Sequence, residues 1–186
     1  MVIKTLLLLV VIVVAFGFVF FVTNTVKRVP AGPGSGPAGS DLLPVGTEAP
    51  EFALDDETGK TVCLSELRGQ KNVVLIFYPG DDTPTCAGQL CQIRDQWPRF
   101  TADGVAVFGI NPGTADSHSH FRRSLNLPFQ LLVDLRGDAI RAYGARHPKL
   151  GITMRTVYGI DRAGRIVFAA RGLPEPDEVL KNFVQS

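Results

Sequence analysis

The run Val73-Val74-Leu75-Ile76-Phe77 constrains this chain more than any other stretch, because of the residues it leads into. Five apolar residues, β-branched and aromatic, read as a short buried strand. Turn residues then crowd between Pro79 and Pro84, and a helical pattern starts near Cys86. A buried strand that hands over directly to a helix is the unit from which layered α/β folds are made. It also places a cysteine at a helix N-terminus, where free N–H groups and the positive end of the helix dipole favour a thiolate.

The flanking chain repeats the pattern. Residues 46–54, a polar turn at 55–60 and Thr61-Val62-Cys63-Leu64 read as an N-terminal hairpin, and residues 65–69 as a single helical turn. Residues 105–110 and 129–133 are further apolar strands, with helices predicted over 114–125 and 138–143. Pro98 should kink or divide the helix that begins at Cys86. Residues 156–160 and 165–169 flank the turn Asp161-Arg162-Ala163-Gly164 as a hairpin, and an amphipathic helix over 175–184 ends the chain. The expectation is an α/β fold with a central mixed sheet flanked by helices on both faces.

Composition divides the chain near residue 40. Before it, the only charged side chains are Lys4, Lys27 and Arg28; setting these aside leaves 16 basic against 18 acidic residues. Such a balance gives no reason to expect nucleic-acid binding. Residues 6–22 carry no charge and would span about 25 Å as a helix, slightly short of a hydrocarbon core of about 30 Å. Lys4 and the polar margin Thr23-Asn24-Thr25 can cover the difference. A cleaved signal peptide is the other reading, but cutting after Ala15-Phe16-Gly17 would leave Phe18-Val19-Phe20-Phe21-Val22 on the product. The chain is therefore divided into a single membrane anchor with its flanks at residues 1–28, a Pro/Gly/Ser linker at 29–44 and a folded domain at 45–186. Basic residues on both flanks leave the orientation open; the reading leans to an extracytoplasmic domain.

Three cysteines in a domain of this size do not form a disulfide scaffold. Cys63 stands apart and reads as a small, buried core residue, whereas Cys86 and Cys91 are close enough to suggest redox chemistry. His118, His120 and His147 suggest no metal site: the first two point in different directions on a helix, and a solvated or structural role is expected. No cofactor is called for.

The segment Pro79-x-x-x-Thr83-x-x-Cys86 resembles the peroxidatic motif of peroxiredoxins, and a second cysteine five residues on, followed by Arg94-Asp95, resembles their Q-type subfamily, the bacterioferritin comigratory proteins. Three further stretches come in family order: Gly46-x-x-Ala49-Pro50-x-Phe52, Leu127-Pro128-Phe129-x-Leu131-Leu132-x-Asp134 and Arg155-x-x-x-x-Ile160-Asp161-x-x-Gly164-x-Ile166. The resemblance implies a thioredoxin-like fold and a thiol-dependent peroxidase acting on hydrogen peroxide and organic hydroperoxides. It implies that Cys86 is the peroxidatic thiolate and Cys91 the resolving thiol. It further implies that the Thr83 hydroxyl bonds to the substrate or the sulfur, that Arg155 stabilises the thiolate and the developing charge, and that Pro79 limits solvent access. A thioredoxin or glutaredoxin-like donor would reduce the resulting disulfide, and a monomer is expected. Thr85 stands where the subfamily usually has glycine, Ala87 where it often has threonine, and Asn111-Pro112 replaces a serine-bearing stretch.

Five residues along a helix correspond to a rise of about 7.5 Å and a rotation of about 140°, so the two Cα atoms would lie about 8.6 Å apart. A disulfide needs less than about 7 Å. Cys91 can therefore reach an oxidised Cys86 only if the first helical turn unwinds, and Gly88 lowers the cost of unwinding by about 1 kcal/mol relative to alanine. Two other readings use the same residues. A membrane-tethered thiol–disulfide oxidoreductase would reduce protein disulfides and ignore peroxide, though it typically carries only two residues between its cysteines. A redox-sensing module would oxidise at Cys86 without turning over.

Overall fold

The structure is a computed structural model that describes residues 41–81 and 84–183; the Cys86 side chain lies outside that description. The expected anchor at residues 1–28 and most of the linker also lie outside the described residues, as do Asp82 and Thr83. No helix among the described residues is long and apolar enough to cross a membrane.

In chain order the elements are β1 (Ala53–Asp56), β2 (Thr61–Cys63), α1 (Leu64–Leu67), β3 (Asn72–Phe77), α2 (Pro84–Asp95), α3 (Trp97–Ala102) and β4 (Val105–Asn111). Then come α4 (Ala115–Ser124), β5 (Gln130–Val133), α5 (Asp138–Ala142), β6 (Thr156–Ile160), β7 (Ile166–Arg171) and α6 (Pro176–Leu180). The seven strands form one sheet in the order β2-β1-β5-β4-β3-β6-β7. The β3–β4 and β4–β5 pairs are parallel, and all other pairs are antiparallel. The sheet is mixed, as expected, and the N-terminal hairpin joins its edge through β1 and β5.

β3 is buried at every position because it lies centrally, with β4 on one side and β6 on the other. Its alternate side chains feed two cores. Val73, Leu75 and Phe77 join Leu64, Ile140, Tyr143 and Tyr158 on one face; Val74, Ile76 and Tyr78 join Leu90, Ile93, Phe100 and Phe121 on the other. Both faces are thus covered by helices, which explains why the strand is continuously apolar instead of alternating.

Several predicted boundaries shift for local reasons. The helix expected from Cys86 starts two residues earlier, at Pro84, and Pro98 does divide it: Gln96 separates α2 from α3, with the proline tolerated in the first turn of the second helix. The last helix is shorter than expected and gives way to turns over 181–183. Ordered packing starts slightly ahead of Val45. Leu43 is buried, and its amide donates to the Tyr158 hydroxyl (3.0 Å), which in turn donates to the Tyr143 carbonyl (2.8 Å).

Candidate active site

The loop that leaves β3 emerges at the C-terminal ends of the parallel strands, where open α/β sheets place their sites. Cys86 is the third residue of α2 and Cys91 the eighth, so one helix carries both backbones. Arg155 comes from far along the chain to the C-terminal end of β3. The antiparallel pairing of Phe77 with Thr156 sets Arg155, one residue before β6, beside the point where the loop departs. Arg155 is half-buried, and its carbonyl accepts from the Gly172 amide (3.1 Å). Pro79 is exposed. Thr83 lies outside the described residues.

α2 is anchored unevenly. Leu90 and Ile93 are buried in the core and Ala87 packs against it, whereas Pro84, Thr85 and Gly88 are exposed. An added Cβ at Gly88 would meet nothing, so no packing constraint requires glycine there. Its effect is to weaken the helix between the two cysteines. Cys91 is a half-buried free thiol. One turn on, Arg94 donates to the Leu125 carbonyl (2.7 Å) and to Asp95 (2.8 Å). The bond to Asp95, with a smaller push from the Cys91 charge, raises Arg94 above its ordinary range. Gln89, two residues before Cys91, is 4% exposed.

A buried polar network within the motif is a feature that sequence reasoning missed. Asp81 is buried, and its Oδ1 accepts from the Tyr78 hydroxyl (2.9 Å) and the Asn111 amide (2.8 Å). Its Oδ2 accepts from the Ser117 hydroxyl and faces Nδ1 of His118 at 2.9 Å. The other ring nitrogen of His118 faces the Leu132 carbonyl at 3.2 Å. Because both ring nitrogens meet acceptors, both bonds form together only in the imidazolium. Burial alone would raise the Asp81 carboxyl, but the bonds from His118 and Ser117, the His118 charge and the Asn111 bond override it and bring it down to about 2.

Asn111, for which the sequence suggested no role, is therefore part of this knot; its own Oδ1 accepts from the Gly113 amide. A Cβ at Gly113 would lie 2.8 Å from the His118 ring, so only glycine lets the loop close over it. The histidine expectation resolves unevenly. His118 is wholly buried, His120 is exposed, and the Nδ1 of His147 accepts from the amides of Lys149 (3.2 Å) and Leu150 (3.1 Å). No group of three or more His, Cys, Asp or Glu that could hold a metal occurs among the described residues.

Cys63 departs from its expectation, being half-buried at the N-cap of α1 and not sealed in the core. Burial, then the charges of Glu66 and Glu51, push its thiol up, which keeps it protonated and unreactive. Asp134, part of the resemblance, caps α5: its oxygens accept from the amides of Asp138 (2.9 Å) and Ile140 (2.8 Å).

A thioredoxin-like sheet with a cysteine in the first turn of the helix after its central strand defines a class of thiol enzymes and redox proteins. Comparison narrows it. The AhpC/TSA family model matches residues 45–169. The chain is 38% identical over 146 residues to the chloroplastic peroxiredoxin Q of Suaeda salsa, an alignment covering 76% of this chain and 67% of the relative. It is 38% identical over 131 residues to the putative peroxiredoxin bcp of Coxiella burnetii, covering 67% and 85% respectively. The crystal structure of peroxidoxin BcpB from Mycobacterium tuberculosis superposes with a TM-score of 0.70 at 26% identity, covering 75% of this chain and 96% of that one. The chain belongs to the AhpC/TSA family, in its peroxiredoxin Q and bacterioferritin comigratory branch.

Proposed function

We propose that this protein is a thiol-dependent peroxidase in which Cys86 is oxidised by the peroxide and Cys91 resolves it. The observation that carries the reading is the placement of both cysteines on α2, immediately after the central strand, in a chain of the peroxiredoxin Q branch. The Cys86 thiolate attacks one peroxide oxygen, the O–O bond breaks, and the second oxygen leaves as water or alcohol after taking up a proton. Thr83 and Arg155 hold the two oxygens in line and stabilise the charge that moves onto the leaving one. The sulfenic acid formed on Cys86 then loses its oxygen as water when the Cys91 sulfur attacks, giving an intramolecular disulfide. A thioredoxin or glutaredoxin-like dithiol exchanges with that disulfide and restores both thiols.

The expected separation of about 8.6 Å between the two Cα positions of an intact helix forces unwinding between the first and second steps. The weak anchoring of the first turn of α2 supports this. The test is steady-state peroxide consumption with a thioredoxin, its reductase and a nicotinamide donor. Turnover that depends on Cys86 supports the reading. Reduction of protein disulfides without peroxide consumption would reassign the chain as an oxidoreductase, and oxidation of Cys86 without turnover would make it a sensor.

The reading extends to residues 1–44. The uncharged run at 6–22 anchors the enzyme to a membrane, the Pro/Gly/Ser stretch tethers a monomeric domain, and that domain lies outside the cytoplasm. Carbonate extraction of membranes tests the anchor, light scattering the monomer, and labelling of intact cells with an impermeant thiol reagent the side. Extraction into the soluble fraction would overturn the anchor, and unlabelled cysteines in intact cells would move the domain inside.

A further inference from the structure

Burial differs on the two sides of residues 82 and 83. Asp81 lies two residues before Thr83 and five before Cys86, and its carboxylate has all four acceptor directions filled. The donors come from separate parts of the fold: Tyr78 just past β3, Asn111 at the end of β4, and Ser117 and His118 in α4. His118 carries the connection on to the β5 carbonyl of Leu132. Asp81 is 6% exposed and His118 not at all, whereas Pro84, Thr85 and Gly88 are exposed. One side of the segment is tied to three adjacent strands, and the other side opens on the exposed Pro84 and Thr85 of α2.

We infer that Asp81 and His118 are positioning residues for the peroxidase reaction, forming the fixed end from which the reactive segment unwinds and to which it returns. This rests on Cys86 being the peroxidatic thiol. In the reduced enzyme the knot sets the path of the chain into Thr83 and Cys86, and so the line along which peroxide meets the sulfur. In the disulfide form it stays closed, so rearrangement is confined to residues 82–90 and reduction regenerates the same reactive geometry. A buried polar cluster serving stability alone has no reason to direct four donors at one residue inside the Pro79–Cys86 motif.

The test uses the full chain with its single tryptophan, Trp97, as a fluorescent reporter in stopped flow. The variants are His118→Leu, His118→Asn and Ser117→Ala. His118→Leu should slow oxidation of Cys86 by hydrogen peroxide tenfold or more, while disulfide closure from the sulfenic acid stays within twofold of wild type. His118→Asn, whose amide can donate to Asp81 from the place of Nδ1, should recover most of the rate even where its melting temperature stays low. Ser117→Ala removes one donor of four, should slow oxidation about threefold, and serves if His118→Leu does not fold. Amide exchange on oxidation of the wild type should rise across 82–90 and not at 78–81 or 111–118. Variants that oxidise at the wild-type rate, losses that track melting temperature alone, or exchange that spreads into 111–118 would each overturn the inference. A Cys86→Ser protein that still consumes peroxide would instead overturn the peroxidase reading beneath it.

Discussion

At the scale of single residues, three cysteines in one chain meet three environments. Cys63 is held protonated by burial and by two carboxylates, Cys91 is a half-buried free thiol beside an arginine, and Cys86 stands in the first turn of a helix. Replacing Cys91 with Ser should leave a single oxidation of Cys86 at the wild-type rate and reduce thioredoxin-driven turnover by at least a hundredfold. Dimedone trapping followed by mass spectrometry checks that the sulfenic acid persists. Asp81 makes a prediction about stability. Its folded value of about 2 lies below the ordinary aspartate value of about 3.9, so its contribution is complete above about pH 5 and is lost as pH falls through about 2. That contribution is on the order of 2 kcal/mol. Asp81→Asn should therefore be markedly less stable than wild type at pH 7, with the gap closing toward pH 2, as read by urea unfolding at several pH values.

At the scale of elements, α2 is buried toward one end and exposed toward the other. Leu90 and Ile93 hold its second half in the core, and its first turn presents exposed Pro84 and Thr85 to solvent. Gly88 sits between the two cysteines with open space where a methyl group would go. Gly88→Ala should strengthen the helix by about 1 kcal/mol without a clash. On the proposed mechanism that gain opposes unwinding, so disulfide closure should slow about fivefold while the oxidation step keeps its rate. Rapid-quench alkylation that counts free thiols against time separates the two. The break at Gln96 has its own logic: Trp97 opens α3 and packs on Phe129 of the segment before β5, with ring centroids 5.8 Å apart.

At the scale of the whole molecule, the sheet converts distant sequence into local chemistry. The β3–β6 pairing carries Arg155 to the mouth of the Cys86 loop, and the parallel β3–β4 pairing carries Asn111 beside Asp81. The Tyr78 ring that reaches Asp81 passes over Gly109 of β4. A Cβ there would lie 2.6 Å from Leu131 and 3.1 Å from that ring. Gly109→Ala should thus cost about 1–3 kcal/mol by overpacking, seen as a lower denaturation midpoint with an unchanged slope. It should also disturb the Asp81 knot through Tyr78, so peroxide reactivity should fall along with stability.

Local order was legible in the chain itself. The buried strand at residues 73–77, the turn-rich loop, the helix carrying Cys86 and Cys91, the division by Pro98 and the terminal hairpin all rest on short-range physics. Strand burial writes a continuous apolar run, and proline lacks the donor that a helix interior needs. The Cys86–Cys91 spacing was likewise sufficient to show that an intact helix keeps the two Cα atoms too far apart for a disulfide, since helical geometry is set by residue count alone. What only the tertiary structure decided is where polar side chains meet. Nothing in Asp81, Asn111 or His118 taken singly distinguishes a buried network from solvated loops, because hydrogen-bond partners 30 and 37 residues away become neighbours only through sheet register and helix packing. The same holds for Leu43, which reads as linker until the Tyr158 hydroxyl meets its amide, and for Cys63, whose half-buried place comes from the edge position of β2. Sequence alone determined that this chain carries two cysteines on one helix after its central strand. The fold decided what holds that helix at its fixed end.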